Sequence, residues 1–362
     1  MTTTYALTFL ETELRVNVGA GVDLQPVRDF FSSHFTFREG ESGRARVTLN
    51  LFLGEAYPVS SVGSGERVWI RQSASAFFSV PAERVRYEGD ECVRSLETGT
   101  TLRFRMSRTE VDVGLREPCP LLDLIELIRD LVLKLEQESG KVAIHATSCL
   151  RDGEATLIVG AKGAGKSSLA IELVRNFGFT FLSGDKTLLW SHAGDLMCAG
   201  WPDWPHIGLG TASNYPELVE AFGLAEQIAR ADAGHLWATA NKLALDPTRF
   251  RGLVPHAPCG ANAKVTRLIY PRVEPAPGTD VSELADGYAG LAAHIEAAFR
   301  PDGDWHAMVS PSVDVRRSLE ATLSAAGQVP AFKLRGIGRL TDEHGKQLGL
   351  KGRAGLDATE NH

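Results

Sequence analysis

The densest chemistry in the chain lies in GAKGAGKSS, Gly160 to Ser168. The run follows a short apolar stretch, Ala155–Val159, and opens an amphipathic one, Leu169–Phe177. Gly, four residues, Gly165, Lys166, Ser167 is the spacing of a phosphate-binding P-loop, and strand before, helix after is the context that such a loop requires. Glycines at 160, 163 and 165 let backbone approach phosphate oxygens where a Cβ would clash. Successive N–H groups then make a concave anion site, and the following helix adds the positive end of its dipole. Gly160, Ala161, Lys162, Gly163, Ala164, Gly165, Lys166, Ser167 and Ser168 thus form a candidate nucleotide-binding loop. Lys166 would set a cation on the β- and γ-phosphates, and the Ser167 hydroxyl would ligate Mg²⁺. The competing reading is a glycine-rich turn that binds nothing.

Three further residues could act on a bound phosphate. Asp185 ends an apolar run in FLSGDKTLLW. A carboxylate at the tip of a neighbouring strand can hold Mg²⁺ or take a proton from an attacking hydroxyl; Gly-Asp is equally ordinary turn chemistry. His145 lies in the apolar run KVAIHATSCL, either as a core histidine or as a group that orients Asp185. Lys242, in LWATANKLALDP, is a solvated lysine or a second phosphate cation. Trp201, Trp204 and Trp237 are core aromatics or the wall of an acceptor or adenine pocket.

The elements that must position these residues follow from periodicity. Residues 1–117 predict a β-rich α+β domain: Tyr5–Phe9, Arg15–Val18, Arg46–Leu53, Val68–Gln72, Ala76–Val80, Leu102–Met106 and Glu110–Leu115 are strand-like, with one helix at Leu24–Phe31. Residues 118–140 predict a connecting helix, because Leu121, Leu124, Ile125, Ile128, Leu131, Val132 and Leu135 form one apolar stripe. From 141 to 340 short apolar strands alternate with helices, the pattern of an α/β domain. Strands are expected at Val142–Cys149, Ala155–Val159, Phe179–Ser183, Lys186–Trp190, Leu243–Leu245, Val265–Tyr270 and Phe332–Leu334. Helices are expected over Leu169–Phe177, Pro216–Arg230, Glu283–Phe299 and Pro311–Ala326. Residues 341–362, rich in glycine and charge, predict a flexible tail.

Composition excludes several classes. A formal charge of −7 over 362 residues argues against a nucleic-acid or anionic-membrane surface, which needs a basic stripe. Cys92, Cys119, Cys149, Cys198 and Cys259 are scattered, with no CxxC and an odd count, which suits a reducing, cytoplasmic setting. MTTTYALTFLETELRV lacks a basic n-region, so no signal peptide is expected. The most apolar stretch, Leu121–Leu135, is broken by Asp123, Glu126, Arg129 and Asp130 and predicts no membrane span.

Taken together, the motifs resemble a known family. An Ile-His-Ala strand, a P-loop about 15 residues later and an Asp-bearing strand about 20 residues after that are similar to the catalytic domain of HPr kinase/phosphorylase and its relatives in bacterial biosynthetic clusters. IHATSCL, GAKGAGKSS and FLSGDKTLLW carry the likeness. GWPDWPHIGLGT, LWATANKLALDP and VTRLIYPRV extend it more loosely, so that it covers about 140–335. The resemblance implies a fold related to ATP-dependent phosphoenolpyruvate carboxykinase, ATP and Mg²⁺ as cofactors, catalytic roles for His145, Lys166, Asp185 and Lys242, and Ser167 and Asp185 at the metal. It also implies homo-oligomers. The family enzyme carries two adjacent Asp where this chain has Gly184-Asp185. Its phosphorylase signature has no counterpart here beyond a superficial likeness in KLRGIGRL, so neither phosphorylase activity nor HPr as substrate is expected.

The expected function is therefore an ATP-dependent kinase acting on a serine-type hydroxyl of a peptide, a protein or a small molecule. A nucleotide-gated binding or scaffold module is the alternative. A hydrolytic motor is disfavoured, since no apolar strand ends in a paired Asp-Glu.

Overall fold

The computed structural model describes residues 2–41, 43–72, 79–116, 121–238, 242–274, 278–285, 287–296, 304–310, 315–336 and 339–350. The chain divides into two compact units, Met1–Lys141 with Ala297–Val315, and Val142–Glu296 with Arg316–His362.

The first unit contains β1 (Thr3–Phe9), β2 (Thr12–Val18), α1 (Gln25–Phe31), β3 (Thr36–Glu39), β4 (Val47–Leu53), β5 (Glu66–Arg71), β6 (Val80–Tyr87), β7 (Asp90–Ser95), β8 (Thr101–Phe104), β9 (Glu110–Leu115) and α2 (Leu122–Glu138). Its nine strands form one sheet in the order β3-β1-β2-β4-β9-β8-β7-β6-β5. Alternating residues such as Val47, Leu49 and Leu51 are buried, as expected for strands with one face against a core. A polar ladder crosses four strands: Thr4 donates to Asn17 at 2.9 Å, Asn17 to Asn50 at 2.9 Å, and Asn50 to Asp112 at 2.9 Å.

The helix expected as a connector, α2, falls inside this unit and is buried along nearly its whole length. Its charged residues are paired rather than solvated. The fully buried Lys134 meets Asp130 at 2.8 Å and Asp304 at 3.0 Å, and His306 meets Asp130 at 2.7 Å. Residues 304–310 are thereby fixed to the first unit. The apolar stripe of α2 was legible in sequence, but burial of its polar side depends on these distant partners. The strand expected at Ala76–Val80 lies outside the described residues except at its end, where β6 begins at Val80.

The second unit contains β10 (Val142–Ile144), β11 (Ala146–Arg151), β12 (Glu154–Val159), α3 (Lys166–Phe177), β13 (Thr180–Ser183), β14 (Thr187–His192), β15 (Asp195–Gly200) and β16 (His206–Gly208). The short helices α4 (Leu209–Ala212), α5 (Pro216–Ala221), α6 (Ala225–Arg230) and α7 (Ala233–Leu236) follow, then β17 (Lys242–Ala244), α8 (Pro247–Leu253) and β18 (Asn262–Val273). The unit closes with β19 (Thr279–Leu284), α9 (Tyr288–Ala292), β20 (Ile295–Glu296), α10 (Val315–Ala326), β21 (Ala331–Gly336) and α11 (Asp342–Gln347). Its sheet has ten strands in the order β13-β11-β12-β18-β15-β14-β10-β20, with β21 beside β18 and β19 beside β21.

Both faces of this sheet are covered. Ile158 of β12 packs with Leu169, Leu173 and Phe177 of α3, while Ala155, Leu157 and Val159 pack on the other face with Ala325 and Ala326 of α10. That explains why Ala155–Val159 is buried at every position and does not alternate apolar with exposed polar residues. β12 runs parallel to β18 and antiparallel to β11, and β13 pairs antiparallel with the far side of β11. The C-terminal ends of β12 and β13 and the N-terminal end of β11 therefore share one edge of the sheet.

Three expected elements differ. Pro216–Arg230 is two helices, α5 and α6, interrupted at Phe222–Leu224. Glu283–Phe299 is no single helix: its described part holds the end of β19, then α9 and β20. Residues 341–350 are not frayed. Thr341 and His344 form a capping box at the start of α11, and Leu348 and Leu350 are buried against the α3 face. Two leucines give this polar segment a foothold that charge content alone did not reveal. Residues 351–362 lie outside the described part.

Candidate active site

The loop Gly160–Gly165 joins β12 to α3 and is pinned from several sides. Ala164 N–H donates to Ala161 O at 3.1 Å, and Val273 N–H, at the end of β18, donates to Ala164 O at 3.0 Å. Gly163 and Gly165 have φ of 85° and 98°. At Gly165 the demand for glycine is double. A Cβ there would also lie 2.1 Å from Val273 Cγ2. The loop's shape thus excludes side chains at the point where α3 begins, which keeps its first N–H groups accessible.

Lys166 opens α3 and is 6% exposed. Its ammonium folds back over its own loop and donates to Gly160 O at 2.6 Å and to Ala161 O at 3.3 Å. It also meets His145 Nε2 at 2.9 Å. Burial pushes the lysine down to about 8; Asp185 and Glu296 counter that shift, and the Lys242 charge adds to it.

His145 sits where the expected strand Val142–Cys149 breaks into β10 and β11. The break lets one run serve two neighbours: Ile144 pairs with Thr187 of β14, and Ala146 pairs with Val159 of β12. The His145 ring is thus set beside the loop rather than in the core. Its Nδ1 faces Asp185 Oδ1 at 3.5 Å and Glu296 Oε1 at 3.5 Å.

Asp185 lies in the turn between β13 and β14, with its side chain 41% exposed. The turn is fixed by Thr147, which donates to Gly184 O at 2.6 Å, and by Ser183, which is bonded to Lys186 O and to the Trp201 backbone. A rigid turn presenting an accessible carboxylate suits a group that must meet a substrate proton.

Lys242 arrives on a two-stranded ribbon. It is the first residue of β17 and pairs with Gly208 of β16. The ribbon is docked to α3 by Ser167, whose hydroxyl donates to His206 O at 3.2 Å. Ser168 bonds to Thr211 at 2.6 Å. Burial lowers the pKa of Lys242, Asp185 opposes that shift, and Lys162 reinforces it. Lys162, Lys166, Lys242 and Asp185 therefore share one electrostatic neighbourhood. The sequence-predicted residues His145, Lys166, Asp185 and Lys242, far apart in the chain, converge here.

The tryptophans divide. Trp201 is a core residue, 1% exposed, whereas Trp237 is 55% exposed. The Trp237 ring covers Gly210, at which a Cβ would come within 2.5 Å of it.

No protein-family model matches the chain, and no curated protein matches it. The geometry of the site itself carries the functional reading.

Two residues of the site went unread in the sequence. Glu296, on β20, ion-pairs with Lys186 at 2.7 Å. Burial alone would raise its carboxyl, but the His145 hydrogen bond and the Lys186 ammonium outweigh that and hold it at about 2. His294 accepts the His145 backbone N–H at 2.8 Å through its carbonyl. Burial lowers its imidazole, and the Lys166 charge adds to that. A two-residue strand leaves no periodicity, so only the presence of His and Glu flanking an isoleucine hinted at either.

Among the described residues no helix is long and apolar enough to cross a membrane. Cys92, Cys149 and Cys198 are buried free thiols and Cys259 is an exposed one; Cys119 lies outside the described residues.

Proposed function

We propose that this chain is an ATP-dependent kinase of the HPr-kinase-like kind, transferring the γ-phosphoryl group to a hydroxyl of a peptide, a protein or a small molecule. One observation carries the reading: a glycine cradle, its lysine, a histidine and an accessible carboxylate meet at one sheet edge, with a second lysine in the same electrostatic neighbourhood.

The arrangement fits the cofactors that such a reaction uses. Ser167 gives its proton to His206 O, which leaves its oxygen lone pairs available to a hard cation. Asp185 offers the second oxygen donor. Magnesium would supply charge neutralisation at the β- and γ-phosphates.

The chain's own residues would then do three things. The loop amides and Lys166 hold the phosphates, and Lys242 adds positive charge where negative charge is transferred. Asp185 accepts the proton of the acceptor hydroxyl as its oxygen bonds to the γ-phosphorus. The bond from phosphorus to the β–γ bridging oxygen breaks, and ADP departs. His145 orients the carboxylate and the lysine.

The test is product chemistry. Incubated with Mg·ATP and serine-type acceptors, the wild-type chain should yield a product heavier by one phosphoryl group. Asp185→Asn should keep nucleotide affinity and lose roughly 10²- to 10⁴-fold in turnover, the usual worth of a positioned base. Undiminished turnover in that variant would remove Asp185 from the mechanism. Nucleotide binding that gates a partner, without transfer to any acceptor, would favour the binding-module reading.

A further inference from the structure

The site holds a second carboxylate. Beside Asp185, Glu296 reaches the same histidine from a strand more than a hundred residues later. β20 is locked to the His145 strand: Ala143 pairs with Glu296, Ile144 pairs with Ile295, and His145 N–H donates to His294 O.

Lys166 shows what the histidine is doing. An ammonium has three protons to donate. Gly160 O, Ala161 O and His145 Nε2 form a complete set of three partners. For Nε2 to accept, a neutral ring must carry its proton on Nδ1, and a carboxylate facing Nδ1 selects that tautomer. Two carboxylates face it, and they differ. Asp185 lies on the β13–β14 turn with its side chain partly open to solvent. Glu296 is clamped by Lys186 and stays ionised.

We propose that Glu296 is a positioning residue: it fixes the Nδ1 edge of His145 so that Nε2 holds Lys166 folded over its own loop, and it thereby leaves Asp185 for the acceptor proton. The inference rests on the kinase reading for its consequence, but not for its geometry. Lys166 must exchange these three partners for phosphate oxygens on binding, so Glu296 governs how the lysine is held and released. The charged and titratable groups around His145 are Lys166 from α3, Asp185 and Lys186 from the β13–β14 turn, Glu296 from β20 and His294 just before it, with Lys242 beyond.

The experiment uses the full chain. Ring-nitrogen NMR of the ligand-free protein, with His145 assigned by His145→Gln, should show a protonated Nδ1 and a lone-pair Nε2 in the neutral ring. Glu296→Ala should convert this to a mixture of tautomers. Glu296→Gln, which keeps the volume and removes the charge, should move it in the same direction and serves if the alanine variant does not fold. In turnover with Mg·ATP, both variants should lose on the order of 10- to 100-fold in kcat, the usual cost of removing a residue that orients a histidine. KM for Mg·ATP should fall as well, because Lys166 is then drawn off its own loop more readily. The exchange Glu296→Lys with Lys186→Glu should restore the ion pair and the fold but not kcat.

An unchanged His145 tautomer in the folded Glu296 variants would overturn the proposal, as would full recovery of kcat in the exchanged pair. If the wild-type chain binds no nucleotide, the kinase reading fails, while the ring nitrogens of the ligand-free protein still decide the role of Glu296.

Discussion

Lys166 makes a pH dependence that can be worked from the structure. An exposed lysine titrates near ~10.4; burial brings this one to about 8. Phosphate oxygens would hold it charged in the complex, so binding above that pH must include the uptake of a proton. With a ligand-free value of about 8, the charged fraction falls from ~0.76 at about pH 7.5 to ~0.03 at about pH 9.5, a ~25-fold change, or ~1.9 kcal/mol. Nucleotide affinity, measured by equilibrium titration in buffers of matched ionic strength, should be flat below about pH 7.5 and weaken ~25-fold by about pH 9.5. Lys166→Arg should remove that limb whatever its absolute affinity, because guanidinium does not deprotonate in this range. Lys242 is also held below the ordinary lysine range by burial, so Lys242→Arg isolates its share. Affinity that stays flat to about pH 9.5 in the wild type, or an unaltered limb in Lys166→Arg, would refute the assignment of Lys166 as the phosphate-gripping charge.

Two structural predictions follow from packing. Gly165→Ala places a Cβ at φ 98° and 2.1 Å from Val273 Cγ2; left-handed backbone costs about 1–2 kcal/mol and the overlap about 1–3 more. Chemical denaturation should show a loss in that range, with nucleotide binding abolished. Leu348 is fully buried against the α3 face, so Leu348→Ala should lower stability by about 2–5 kcal/mol; a loss under ~0.5 kcal/mol would mean that the segment after residue 340 is as loose as its composition suggests.

What the sequence revealed was local. The P-loop is continuous in the chain, so its glycines, Lys166 and Ser167 could be named before any fold. The break at His145 could not, because Val142–Cys149 holds no glycine, proline or other turn signal, and only the change of partner from β14 to β12 shows that one run is two strands. The hairpin of β6 and β7 was hidden by charge. Its turn, Glu88-Gly89, has positive φ at both residues, but Arg and Glu on the solvent face masked the alternation. Glu296 was invisible for a different reason: its importance comes from pairing with Lys186 and His145, and sequence separation of that size carries no period to read. The same holds for α2, whose buried charges made sense only once Asp304 and His306 lay against them.

In the proposed reaction the Gly160–Ser168 loop and Lys166 grip the phosphates of a nucleotide. Calorimetric titration of Mg·ATP into the full chain and into Lys166→Ala tests it most directly. Saturable binding of one nucleotide per chain, weakened at least ~10-fold by the substitution, is the expected result. No binding in the wild type, or equal binding in the two proteins, would contradict it.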